Sequence, residues 1–169
     1  MAARTGLQRV SIGVGWDITP SVANLDLDLA AFALPSTGVV RSDKDFVFFN
    51  NLSACDGAIK LTSDAAVFRG WREEMTVDTG ALPPDIERVR IAVSSYGGEG
   101  PFRQFPAGFV ELWDSGAGQL ARCDLGIFAE ERALVYADLR RDRDRWVIDA
   151  RGEPHDDLAS VARSMGVKV

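Results

Sequence analysis

The sequence predicts an all-β protein, a β-sandwich of two mainly antiparallel sheets with one short C-terminal α-helix. Three observations predict it. Apolar and polar residues alternate in many short runs, most clearly in LDLDL (25–29). Clusters of Gly, Pro, Asn and Asp separate those runs at regular spacing, as in sandwich folds. Only from His155 to Met165 does the period change, with Leu158, Val161, Ala162 and Met165 at helical spacing. No repeat, low-complexity tract or linker interrupts the 169 residues, so the expectation is one domain over 1–169 with a core able to stand alone.

Taken in order, QRVSIGVGWD (8–17) mixes β-branched residues with glycine and reads as a strand ending near Trp16. Leu25, Leu27 and Leu29 alternate with Asp26 and Asp28, giving a second strand with both aspartates on one face. PSTG (35–38) turns the chain. FVFF (46–49) is apolar at every position, which predicts a strand covered on both faces in the middle of the fold. NNLSACDG (50–57) is a turn or a ligand loop. AIKLTS, EEMTVDTG and VRIAVSSYG read as strands, and ALPPDIER as a turn with one helical turn after it. GGEGPFRQFPAG (97–108) is a candidate mobile loop. GAG joins FVELWDS and QLARCDLG into one hairpin, and RDRD joins ALVYADLR and RWVIDARG into another. His155 stands at the expected helix start, Asp156 and Asp157 favour its dipole, and Gly166 ends it.

Composition excludes several functions. A net charge of -6 argues against a general nucleic-acid binder, whose affinity comes from clustered Lys and Arg. Cys55 and Cys123 form no CxxC pair, so zinc is disfavoured. MAARTGLQRV lacks the apolar core of a signal peptide, and no apolar run approaches the ~20 residues of a membrane span. The expectation is a cytoplasmic protein with reduced thiols. His155 is the only histidine and no G-x-S-x-G motif is present, which argues against nucleophilic catalysis and for a non-enzyme.

The remaining chemistry is oxygen-rich. Two steps along a strand place the Asp26 and Asp28 Cβ atoms ~6.6–6.8 Å apart, and a shared cation would relieve their repulsion. Calcium takes six to eight oxygens from carboxylates, amides, carbonyls and water. Asp26, Asp28, Asn50, Asn51 and Asp56, with Asp64, Glu73 and Glu74, can supply them where the loops meet at one end of a sandwich. The bland alternative is a solvated sheet edge.

Over nearly its whole length, from VSIGVGWD (10–17) to LASVARSMGV (158–167), the chain resembles the TerD family of tellurium-resistance and stress proteins. LDLDLAAFAL (25–34), RSDKDFVFFNNLSACDG (41–57) and ARCDLGIFAEERALVYADLRRD (121–142) carry the resemblance, above all NNL after an aromatic strand with DG soon after. It implies a calcium-binding sandwich in a bacterial cytoplasm, with no established enzymatic activity, acting beside other tellurium-resistance or stress proteins. The calcium region it implies falls on Asp26, Asp28, Asn50, Asn51 and Asp56. Family members usually carry a glycine-rich acidic loop next, whereas this chain has AAVFRGWR (65–72) between Asp64 and Glu73–Glu74. The loss of acids implies weakened calcium binding. It leaves an alternative in which Phe68 and Trp71 hold a protein partner without metal. Calcium-dependent membrane docking finds no basic cluster in the sequence to support it.

Overall fold

The structure, a computed structural model, describes residues 6–20, 24–63, 70–96 and 100–169, with backbone only at Ser63 and Tyr96. The chain forms β1 (Arg9–Gly15), β2 (Asp26–Leu34), β3 (Phe46–Val47), β4 (Ser53–Ala54), β5 (Ile59–Ser63), β6 (Glu73–Asp78), β7 (Arg88–Tyr96), β8 (Phe109–Asp114), β9 (Gly118–Asp124), β10 (Ala133–Asp142) and β11 (Arg145–His155), then α1 (Leu158–Ser164). The strands make a six-stranded sheet, β4-β5-β6-β1-β8-β9, and a five-stranded sheet, β11-β10-β7-β2-β3. The strand pairs are antiparallel. Both hairpins and the terminal helix form as the sequence predicts.

Between the sheets lies the main core, to which Ile12 and Val14 of β1, Leu27 and Leu29 of β2, Met75 and Val77 of β6, and Ile91 and Val93 of β7 contribute. A second apolar layer covers the outer face of the five-stranded sheet, where Ala30, Phe32, Leu34 and Ala92 meet Val161, Ala162 and Met165 of α1. These two layers explain the spelling of β2. Its alternation lasts while one face meets solvent, through Asp28, and stops at Ala30, where both faces become buried. From Ala30 on, β2 is therefore covered on both sides, as is β10 over residues 133–139.

FVFF is covered on both faces at Phe46 and Val47 as expected, but it lies at an edge and not in the middle of the fold. Its regular part is two residues, paired with β2 at Ala31 and Phe32 on the edge of the sheet. Phe46 and Phe48 stack with their centroids 4.3 Å apart, and Phe46 stacks on Phe32. Phe49 is exposed in the turn that follows. Phe46 is buried in the outer layer and Val47 in the inter-sheet core, and aromatic stacking extends that cover to Phe48 at the sheet edge.

Two ends were also misplaced. His155 closes β11 instead of opening the helix, and Asp157 is the cap, its Oδ1 accepting from Ser160 N at 2.7 Å. The helical turn expected after Pro83–Pro84 is instead a 3-10 turn before them, at Thr79–Ala81. In the glycine-rich loop, 97–99 lie outside the described residues, while Phe102 and Phe105 are anchored in the core. Among the described residues, no helix is long and apolar enough to cross a membrane.

Candidate metal centre

The site begins where β3 ends. Because β3 accompanies β2 only at Ala31 and Phe32, the Leu29 amide beyond it takes its acceptor from the other sheet. Leu29 N donates to Glu73 Oε1 at 2.7 Å. Glu73 opens β6 with the inward parity of Met75 and Val77, and it is 9% exposed. Its carboxyl thus ties the six-stranded sheet to the open edge of β2. Asp26 and Asp28 lie along that edge, on the face opposite Leu27 and Leu29.

The three carboxyls disfavour one another's charge. Burial, then the Asp26 charge, pushes Asp28 up to about 6. Burial pushes Glu73 up to about 8 against the lowering effect of the Leu29 hydrogen bond, with Asp28 and Asp26 adding to the rise. Burial also raises Asp26. No ion pair to Lys or Arg offsets this charge among the described residues. The donor set is oxygen throughout, which suits a hard cation such as calcium and not zinc. Among the described residues, however, no three His, Cys, Asp or Glu side chains stand close enough to form a ready-made ion cage. To hold a cation this edge would need additional oxygens.

The other residues named from sequence scatter. Glu74 follows Glu73 on the strand and therefore faces the opposite side of the sheet, beside Arg9, Ser11 and Trp113. Asp56 lies beyond the other end of β5. The Ser63–Glu73 and Ile59–Val77 pairings put four strand steps, ~13 Å, between Glu73 and the start of β5. Its neighbour Cys55 sits by Arg41, Nη2 to Sγ 3.8 Å, and that arginine binds Asp45 and Asp85. Asp56 holds a left-handed turn, with φ of 53°, and is not part of the edge. Asn51 spends its Nδ2 on the carbonyls of Phe46 and Lys44, at 2.7 and 3.2 Å, stapling its own turn. Asn50 is exposed in that turn, on the chain that continues past Val47 toward the Asp28 end of β2. Asp64 lies outside the described residues, one position beyond Ser63, which pairs with Glu73.

Trp71 corrects the partner-loop alternative. It is 2% exposed, flattened over Gly13 on the outer face of the six-stranded sheet, where a Cβ on that glycine would overlap the ring. Its Nε1 donates to the buried Glu111 Oε1 at 2.6 Å. A side chain so placed fills the fold instead of contacting a partner, while Phe68 lies outside the described residues. Sequence reading also missed the arginines around the fully buried Asp138. Their signal was Arg88 and Arg90 two apart on one strand, Asp138 on a second and Arg151 on a third.

The fold and edge define the class: an antiparallel two-sheet sandwich with an acidic strand edge. The chain belongs to the TerD family, whose domain model matches residues 1–164. It is 31% identical over 174 residues to the tellurium resistance protein TerD of Serratia marcescens, covering 98% of this chain and 91% of that one. It is 28% identical over 174 residues to general stress protein 16U of Bacillus subtilis, covering 97% and 90%. A crystal structure from Streptomyces coelicolor, described as a homologue of telluride resistance protein, shares the fold at a TM-score of 0.78 and 24% identity, covering 93% and 96%.

Proposed function

We propose that the chain is a non-enzymatic calcium-binding protein of the tellurite or general stress response. The observation that carries the metal reading is Glu73 reaching across to the Leu29 amide while Asp26 and Asp28 crowd its charge. Asp26, Asp28 and Glu73 would hold the ion, with Asp64 and Asn50 as further candidate donors and backbone and water completing the shell. A bound cation would convert mutual repulsion into attraction and fix the β2 edge to β6. The shortage of acids in 65–72 makes the expected binding weaker than where the loop stays acidic. The stress role rests on the names of the relatives.

Calorimetric titration with calcium, repeated in the presence of excess chelator, tests the metal reading. Heat that saturates and vanishes with chelator is expected. No heat, together with an unchanged melting temperature, would remove it.

A further inference from the structure

A cavity of about 350 Å³ opens on the outer face of the five-stranded sheet, at the far end of β2 from the acidic edge. Arg88, Arg90, Arg140 and Arg141 line it, with Ser36 and Gly38 of the β2–β3 connection and one carboxylate, Glu87. We infer that this cavity is a binding site for a compact oxyanion carrying two or more negative charges, of the phosphate type.

The arginines are held in place beforehand. Asp138, fully buried, accepts from Arg90 Nε and Nη2 at 2.8 and 3.0 Å and from Arg88 Nη1 at 2.6 Å. Arg151 Nε approaches the same carboxylate at 3.4 Å. Arg140 is paired with Asp149 at 2.7 Å. Arg141 donates to the carbonyls of Ile86 and Pro83 at 3.1 and 3.2 Å and lies over the Trp146 ring. Guanidinium forks fixed in this way lose little freedom when they meet an oxyanion.

These contacts leave both charge and donors unspent. Arg88 shares a single carboxylate with two other arginines, and Arg141 has carbonyls and a ring in place of one. Only Glu87 balances that excess in the lining. Among the described residues, Arg88 Nε and Nη2, Arg140 Nη1 and Arg141 Nη1 donate to no protein acceptor. A purely structural pairing of Asp138 would need one arginine. The cavity volume is at the small end of ligand sites, which fits a phosphate or pyrophosphate with its water.

Calorimetry on the whole protein tests this, with inorganic phosphate, pyrophosphate, tellurite and glucose 6-phosphate as probes and nitrate at matched ionic strength as control. At least one of the dianionic or more highly charged probes is expected to bind while nitrate does not. Tighter binding of glucose 6-phosphate than of phosphate would assign the group to a phosphorylated small molecule, and the reverse to a free oxyanion. Arg88→Ala with Arg140→Ala should weaken binding about tenfold or more, since each removes a charge-assisted contact. Arg140→Ala alone, which breaks only its half-exposed pair with Asp149, keeps the test valid should the double variant unfold. Arg103→Ala, which breaks an exposed pair with Glu130 outside the cavity lining, and Asp26→Asn/Asp28→Asn should bind like wild type, separating this site from the calcium reading. Absence of binding up to on the order of 10 mM of every probe, equal binding of nitrate, or full binding by the folded arginine variants would overturn the inference.

Discussion

Two places on the five-stranded sheet treat carboxylates in opposite ways. Near Ser94 of β7, Asp28 crowds Asp26 and Glu73 with no arginine or lysine in salt-bridge range among the described residues. Four residues along the same strand, Arg90 faces Asp138, which three guanidinium groups surround. Burial pushes every one of these acids toward its neutral form. At Asp138 the hydrogen bonds and charges of Arg90 and Arg88, with Arg151, outweigh burial and hold the carboxyl below its usual range. At the acidic edge nothing outweighs it, and Asp28 and Glu73 rise. Burial alone therefore does not set the charge state of an acid. The cation supplied, or not supplied, by the fold does.

The largest way to break this contrast is to remove the centre of the paired cluster. Asp138→Asn leaves three arginines converging on a neutral amide and should cost about 3–5 kcal/mol in urea unfolding, as breaking a buried ion pair does. Glu73→Gln should act in the opposite direction. It keeps an acceptor for the Leu29 amide and removes the disfavoured charge, so the metal-free protein at pH 8 should gain on the order of 1–2 kcal/mol.

The pH profile of the metal-free protein should show both regions at once. Glu73, raised from 4.5 to about 8, keeps a proton in the folded chain that the unfolded chain has lost. Its contribution is full below about 4.5 and disappears as pH rises through about 8. Asp138, lowered from 3.8, contributes above that value and loses its contribution as pH falls through the folded value. Melting temperatures across pH 3–9 should therefore fall on both sides of a mildly acidic maximum, and Glu73→Gln should flatten only the alkaline side. The smallest effect belongs to Arg140→Ala. Its partner Asp149 is 38% exposed, and no resolvable change in melting temperature is expected.

The fold was legible wherever periodicity reports a face. LDLDL, GAG, RDRD and the Leu158–Met165 spacing each named an element that forms. FVFF foretold cover on both faces, which Val47 and Phe46 have, but not position, because an edge strand between two apolar layers is covered as fully as a central one. Trp71 misled in the same way, since nothing local reveals that Gly13 offers it a seat. The acids were legible as residues but not in place. Glu73 reaches the β2 edge near Asp26 and Asp28 because it crosses from the other sheet to the Leu29 amide. Asp56 and Glu74, as acidic and as near in sequence, are carried to another strand end and another face. Which ends meet is decided by long-range pairing, and composition holds no record of it.

On the proposed function, the acidic edge takes up a cation that the fold does not supply. Calcium titration of the wild type at pH 8, followed by melting temperature, beside Asp26→Asn/Asp28→Asn, tests it most directly. Calcium should raise the melting temperature of the wild type, less so at pH 5.5 where protons compete for the same carboxyls, and leave the double variant unmoved. Equal melting temperatures with calcium and with chelator in the wild type, or an equal rise in the double variant, would contradict it.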